Sequence, residues 1–289
     1  MPAPPLGLPP RLLELDRCAV MGVVNVTPDS FSDGGRFLDL DAAVERGLQL
    51  HRDGADLVDV GGESTRPGAA RVPVETELAR VVPVVSALAQ AGAAVSVDTM
   101  RAEVAQAAIG AGAVLVNDVS GGLADPQMLP FLAQAKAPCV LMHWRGHSAQ
   151  MMSNTDYPEG VVAGVVVELR DRLAAADAAG IDRRRIVLDP GLGFAKKPCD
   201  NWPLLAHIEA VADLGCPVLV GGSRKRFLGE LLADADGLPR PLDGREDATT
   251  AISALAALAG VWCVRVHDAI GSLDAVRVAA AWGSARAVG

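Results

Sequence analysis

The chain has 289 residues, half of them hydrophobic but only 3% aromatic, and a formal charge of −9 at pH 7. Its acidic balance, with a pI near 5.0, argues against nucleic acid or anionic lipid as a partner. No uncharged run reaches membrane-spanning length without a Gly or a polar break.

The start, Met1-Pro-Ala-Pro-Pro-Leu-Gly-Leu-Pro-Pro10, lacks the charged and apolar regions of a signal peptide. Residues 1–17 are therefore expected to form a disordered tail ahead of one domain spanning 18–289. The five cysteines show no C-x-x-C spacing. Cys18, Cys139 and Cys263 fall in predicted strands and read as reduced core residues of a cytoplasmic protein.

Residues 18–25 form an apolar, β-branched run that ends on Asn25 and opens into a loop of small and turn-forming residues up to Gly35. Such a run reads as a strand buried on both faces, the kind found in parallel sheets covered by helices. The plan of strand, polar end, loop and helix then repeats. Helical periodicity over 38–54 is followed by strand 56–60, helix 75–92, strand 94–98, helix 101–112 and strand 114–117. A helix over 125–137 is expected to be capped by Asp125, with Pro126 at its first position. Strand 139–143, a polar loop over 144–160 and helix 161–180 come next. They are followed by strand 185–189, a helix near 201–214, strand 217–221 and a short helix to 232. A charged linker over 234–247 leads to helix 248–260, strand 261–267 and a closing helix over 272–282. Eight strand–helix units in this length predict a single (β/α)8 barrel of the TIM type. The rival doubly wound sheet would want Gly-x-Gly-x-x-Gly after its first strand, and none is present.

In such a barrel, ligand groups sit at the carboxyl ends of the strands. Asp98, Asn117 and Asp189 would there form an acceptor-rich wall, suited to a flat heterocycle with an amino-amidine edge. Asn25, Arg265 and His267, on the first and last strands, would make a polar, partly cationic corner fit for a diphosphate, with the Asn25 carbonyl able to ligate Mg²⁺. The start of the short helix, Gly221-Gly-Ser-Arg-Lys225, is the usual anion site of a barrel, for a phosphate or a carboxylate. Singly these residues have plain readings. A strand-end Asp often caps the next helix, His143 reads as a structural histidine, and Arg224-Lys-Arg226 reads as a solvated helix start. Arg265, between two valines, must point at a polar mouth.

Seven ordered segments carry a resemblance to a known family: Asn25-Val-Thr-Pro-Asp-Ser-Phe-Ser-Asp-Gly-Gly35, Asp59-Val-Gly-Gly-Glu-Ser-Thr-Arg-Pro-Gly68, Ser96-Val-Asp-Thr99, Asn117-Asp-Val-Ser-Gly121, Asp189-Pro-Gly-Leu-Gly-Phe194, Ser223-Arg-Lys-Arg226 and Arg265-Val-His-Asp268. On these the chain resembles the dihydropteroate synthases. The resemblance implies condensation of 6-hydroxymethyl-7,8-dihydropterin diphosphate with 4-aminobenzoate, giving dihydropteroate and diphosphate in folate biosynthesis, a reaction that sulfonamides target. It implies that Asp98, Asn117, Asp189 and Lys225 hold the pterin, and that Asn25, Thr65, Arg265 and His267 hold the diphosphate with Mg²⁺ at Asn25. Asp33, Arg66, Pro67, Phe194 and Ser223 would shape the 4-aminobenzoate pocket, with Ser223 receiving the carboxylate. Asp98, Lys225, Arg265 and His267 would carry the catalysis.

Two departures from the family pattern stand out, Gly222 before Ser223 and Ala195 after Phe194. A pterin-dependent corrinoid methyltransferase should lack the Ser223-Arg-Lys site, and a catalytically silent pterin-binding paralogue should have lost some of these residues. A Schiff-base aldolase using Lys225 would need an apolar pocket that the flanking arginines do not suggest. Finally, helix 248–260 is apolar nearly all round, which suggests a homodimer interface, as the resemblance also implies.

Overall fold

A computed structural model describes residues 3–27, 36–64, 68–147 and 153–288. Its centre is a parallel sheet of eight strands: β1 (Ala19–Asn25), β2 (Leu57–Gly61), β3 (Val95–Asp98), β4 (Leu115–Asp118), β5 (Cys139–Met142), β6 (Ile186–Asp189), β7 (Leu219–Val220) and β8 (Cys263–Val266). They run in the order β6-β5-β4-β3-β2-β1-β8-β7. A parallel bridge between Leu188 and Val218 joins the two ends of that order and closes the cylinder. This is the (β/α)8 barrel expected from the repeat of strand and helix.

The principal outer helices are α2 (Arg36–Arg52), α3 (Val74–Gln90), α4 (Ala102–Gly110), α5 (Met128–Ala135), α6 (Val161–Ala178), α10 (Glu246–Leu258) and α11 (Ala269–Val288). Five helix-to-strand connections share one device. Gly54, Gly92, Gly112, Gly180 and Gly260 have φ between +82° and +111°. The next residue's N–H then reaches back to a helix carbonyl: Ala55 to Leu50, Ala93 to Leu88, Ala113 to Ala108, Ile181 to Ala176 and Val261 to Ala256. This is the Schellman cap, and only glycine enters the left-handed region without a Cβ penalty. It stops each helix two residues before the predicted end.

Several boundaries differ from the sequence reading. The helix predicted over 125–137 is only α5, because Asp125 is spent elsewhere. Its carboxylate accepts from the Ala102 N–H at 2.8 Å, capping α4, and from the Gln127 N–H at 2.9 Å. The helix near 201–214 is two short ones, α7 (Asn201–Ala206) and α8 (Glu209–Ala212), broken at His207. After β7 comes α9 (Arg226–Leu231), and the charged linker ends in a 3-10 turn, Leu242–Arg245, that runs directly into α10.

The disordered tail expected over 1–17 is corrected by the fold of its described part. A short helix, α1 (Pro10–Leu13), places Leu8 and Leu12 in one buried cluster with Met21, Leu57, Leu115, Val140, Val187, Leu219 and Cys263. These inward residues form the floor of the barrel, and the two leucines plug it from below. Arg17 then ties this segment to Asp56 through two hydrogen bonds of 2.7 and 2.9 Å. Cys18, Cys139, Cys216 and Cys263 are buried free thiols. Among the described residues, no helix is long and apolar enough to cross a membrane.

Candidate active site

Strand register decides which side chains share the barrel interior. Asn25 pairs with Gly61, Gly61 with Asp98, and Asp98 with Asn117, so these positions form one inward row near the carboxyl ends. One inward step below on β2 and β3 lie Asp59 and Ser96, also paired. Met21 of the floor is level with Arg265, which stands one inward step above Cys263. The mouth is thus lined with polar groups over an apolar floor. Gly61 keeps the row open, since a Cβ there would stand 3.3 Å from that of Asp98.

Asp59, fully buried, organises this layer. Its Oδ2 accepts from Arg265 Nε at 2.6 Å and from Asn117 Nδ2 at 3.0 Å. A carboxylate has only acceptors to offer, so the Asn117 amide must turn its NH₂ towards Asp59. The Asn117 carbonyl oxygen is thereby left as an acceptor for a ligand. Arg265 also donates to Asp98 Oδ2 at 2.8 Å. Burial pushes the Asp98 carboxyl above the ordinary range, Arg265 draws it back, and Asp59, Glu77 and Asp118 reinforce the rise.

A cleft opens above this layer, lined by Asp98, Asn117, Asp189, Phe194, Lys225 and Arg265 among others. Asp189 Oδ1 is held by the Gly191 N–H at 2.7 Å. Its Oδ2 lies towards Gly221, where even a Cβ would be 3.9 Å away. Burial also raises the Asp189 carboxyl, against the Gly191 N–H, Lys225, Arg265 and Lys196. Lys225 Nζ sits 4.3 Å from the centre of the Phe194 ring. Burial brings the Lys225 ammonium down to about 8, with Arg265 adding to the fall and Asp189 and Asp98 opposing it. The solvated helix start expected at 224–226 therefore holds only for its arginines. Arg224 pairs with Glu246 and Arg226 with Glu230. Lys225 turns inward because Arg224 takes a left-handed backbone conformation, φ +58°.

Two further expected residues meet each other. Ser223 Oγ lies 2.9 Å from His267 Nδ1 and accepts from the His267 N–H at 3.2 Å. Arg265, expected in a corner with Asn25 and His267, directs its guanidinium to Asp59 at 2.6 Å and Asp98 at 2.8 Å. Asn25 keeps its place at the end of β1, half-buried beside Gly61. Asp33, Thr65, Arg66 and Pro67 lie outside the described residues. The stems of the segment carrying 65–67 are pinned, however. Glu63 meets Arg71, Arg101 and the Val72 N–H at 3.2–3.3 Å, and Arg101 also pairs with Glu77, which is buried. Among the described residues, no group of three His, Cys, Asp or Glu side chains is placed to hold a metal ion.

The sequence reading gave no role to Asp59, Ser96 or Lys196, all buried within or just behind this site. Counting back two from Gly61 and from Asp98, along the period of a strand, would have found the first two. Nothing in the local sequence marks Lys196. His143 is structural, as expected, and it touches Lys196 and Glu168 at 3.0 Å each.

Residues 21–267 match the family model described as "Pterin binding enzyme". A dihydropteroate synthase from Mycobacterium leprae is 56% identical over 263 residues, covering 91% of this chain and 93% of that protein. A Xanthomonas albilineans dihydropteroate synthase, solved with 4-aminobenzoic acid, superposes with a TM-score of 0.84 at 46% identity over 95% of each chain. A Yersinia pestis dihydropteroate synthase, solved with a sulfonamide drug complex, gives a TM-score of 0.87 at 39% identity, over 98% of this chain and all of the other.

Proposed function

The chain belongs to the dihydropteroate synthases, transferases of folate biosynthesis within the pterin-binding enzymes, and from that premise we propose how its own residues perform the reaction. The substrates proposed are 6-hydroxymethyl-7,8-dihydropterin diphosphate and 4-aminobenzoate, and the products 7,8-dihydropteroate and diphosphate. One observation carries this reading. Asp98, Asn117 and Asp189 converge on a single cleft, and Asp59 fixes Asn117 so that its acceptor is the free atom. A wall of acceptors fits the N–H donors along the amino-pyrimidinone edge of a pterin. Lys225, over the Phe194 ring, would donate to the remaining acceptors of that ring system.

Asn25 and His267 would receive the diphosphate at the rim, with Thr65, and Arg265 would bring its positive charge from below. Asn25, through its side-chain carbonyl oxygen, would hold Mg²⁺ beside the diphosphate. Magnesium commonly binds through one or two protein oxygens plus substrate phosphates, an arrangement that Asn25 and the diphosphate would supply. When bound, the ion would neutralise charge developing on the leaving group. As the C–O bond to diphosphate breaks, positive charge spreads from the methylene carbon into the pterin ring, and that charge, with Arg265, draws the raised Asp98 carboxyl beside it to its anionic form. The arylamine lone pair then forms the C–N bond, and the acidic protonated amine that results gives its proton to the departed diphosphate or to water, so no strong base is required. Ser223, at the end of β7, would take the 4-aminobenzoate carboxylate. Asp33, Arg66, Pro67 and Phe194 would form the rest of that pocket.

A homodimer is supported by exposed apolar side chains on α10 and α11, namely Leu255, Leu258, Ile270, Val278 and Trp282. Light scattering should give twice the chain mass at micromolar concentration, and a monomer there would overturn the dimer. A reducing, cytoplasmic setting is supported by the buried free thiols. The activity is tested directly. Purified protein with Mg²⁺ and both substrates should release dihydropteroate and diphosphate in equal amounts, with sulfonamides competing against 4-aminobenzoate. A folded protein that binds pterin but releases neither product would make this chain the silent paralogue instead.

A further inference from the structure

Behind the cleft, on the side away from substrate, lies a buried charge chain that the proposed reaction does not use. Lys196 is 2% exposed. Its Nζ has three acceptors within reach: the carbonyl oxygens of Gly191 at 2.9 Å and Phe194 at 3.0 Å, and His143 Nδ1 at 3.0 Å. Burial lowers the Lys196 ammonium to about 7, with Asp189 and Glu168 opposing the fall, and three acceptors around Nζ call for the protonated form, whose three N–H bonds go one to each. His143 Nδ1 must then be an acceptor, which puts the ring proton on Nε2, where it donates to Glu168 Oε2 at 3.0 Å. Glu168 is held in turn by Arg145, whose Nε lies 3.0 Å from both carboxylate oxygens. Burial, reinforced by Lys196, holds the His143 pKa down to about 4, in keeping with a neutral ring in this chain.

The two carbonyls gripped by Lys196 belong to the turn that begins at Asp189. That turn bends through left-handed backbone at Gly191, Gly193 and Ala195, with φ of +67°, +74° and +48°. Ala195 carries a Cβ in that region, where the family pattern has Gly, so the loop contains strain that something must hold. Tyr157 Oη grips the Ala195 carbonyl at 3.0 Å, and Arg145 lies over the Tyr157 ring. Three carbonyls of the loop are therefore tied from behind. On the other side of the same backbone, Gly191 N–H orients Asp189 and Phe194 faces Lys225.

We propose that Lys196, seated on His143 and Glu168, is a positioning residue for the arylamine subsite: its three N–H bonds fix the 191–194 turn and so set the Phe194 ring against Lys225. The inference rests on the reading of this cleft as the condensation site, and it adds a residue that touches no reacting atom.

The test compares Lys196→Met, which keeps the buried stem and removes the donors, with His143→Leu and His143→Gln. Gln offers one acceptor for Lys196 and one donor for Glu168 on a single planar group. Lys196→Met should raise KM for 4-aminobenzoate about ten-fold or more through the loosened Phe194, with a smaller rise for the pterin diphosphate because the same turn's Gly191 N–H orients Asp189. Amide hydrogen exchange over 190–197 should quicken about ten-fold, without any need for turnover. His143→Leu should follow Lys196→Met, while His143→Gln should stay near wild type. Equal rises in both KM values, or unchanged KM and exchange, would overturn the brace. If Lys196→Met fails to fold, the two His143 variants decide, and indistinguishable behaviour between them would also overturn it. A wild-type protein that makes no dihydropteroate would sink the proposed reaction, and the exchange comparison would still judge the brace on its own.

Discussion

Asp59→Asn is the sharpest probe of the buried layer beneath the cleft. The substitution keeps shape and removes one charge from a carboxylate that holds Arg265 Nε at 2.6 Å and Asn117 Nδ2 at 3.0 Å. Two unit charges about 4 Å apart interact by roughly 4 kcal/mol at an effective dielectric near 20. Arg265 retains Asp98 at 2.8 Å, and burying a neutral amide avoids part of the desolvation cost of a carboxylate. The net loss of stability is therefore about 2–3 kcal/mol, which for a chain of this length lowers Tm by roughly 3–5 °C. Function should suffer more selectively. An amide at position 59 can offer an NH₂ as well as an oxygen, so Asn117 is no longer forced to face its acceptor outward. Pterin affinity by calorimetry should fall about ten-fold or more, with the 4-aminobenzoate KM changed far less. Wild-type pterin affinity in the folded variant would refute the claim that Asp59 sets the wall.

Ser223→Ala should raise KM for 4-aminobenzoate with little change in that for the pterin substrate, and steady-state kinetics showing the opposite would break the carboxylate assignment. Ser223→Thr should restore part of the loss, because the hydroxyl that meets His267 Nδ1 at 2.9 Å is kept. Leu12→Ala opens the barrel floor and should cost about 2–3 kcal/mol by urea denaturation; no change in the midpoint would mean that α1 does not plug the barrel. His143 titrates at about 4 in the folded chain against 6.5 as the reference value. The unfolded chain then binds more protons between these values, so stability is full above pH 6.5 and is lost as pH falls towards 4. The contribution is about 3 kcal/mol at most. Asp98 and Asp118, raised by burial to about 7 and about 6, titrate with the opposite sign in both proteins, so the test is the difference: by urea denaturation, the stability of wild type relative to His143→Gln should fall by that amount between pH 6.5 and 4.

The barrel was legible because its punctuation is repetitive. Ala-Gly or Asp-Gly follows helix after helix, and each such Gly closes the same cap before an apolar strand. The ligand-facing strand ends were legible too, since Asp98, Asn117 and Asp189 each break an apolar run. The second inward layer was not. A strand buried on both faces hides which face is the interior, so Asp59 passed as part of a run and its control of Arg265 went unseen. Lys225 was obscured by its neighbours, because three cations in a row read as solvent-facing unless one knows that Arg224 bends the backbone. The Pro-rich start has no helical pattern worth the name. Leu8 and Leu12 gain meaning only once an open barrel floor exists for them to fill.

The burial of Lys225 reopens the aldolase reading, which was set aside for want of such a pocket. Lowered to about 8, Lys225 lies in the range a Schiff-base lysine uses, while Asp189, Asp98 and the Phe194 ring all favour its ammonium form. Family membership decides against the aldolase, since the chain is 56% identical to a dihydropteroate synthase over 263 residues. The pocket sets Asp59, Asp98 and Asp189 against Lys225 and Arg265, with the buried Asp98 raised to about 7 and so divided between its neutral and ionised forms near neutral pH. A pterin brings donors and no net charge, so binding does not by itself force Asp98 to ionise. Positive charge forming on the ring draws Asp98 to its carboxylate, which does little for the ground state and much for that cation. The same carboxylates would hinder a mechanism that built negative charge at the ring carbon, such as attack ahead of leaving-group departure. The buried charges thus favour a path in which diphosphate leaves early and the arylamine arrives at a carbon already positive.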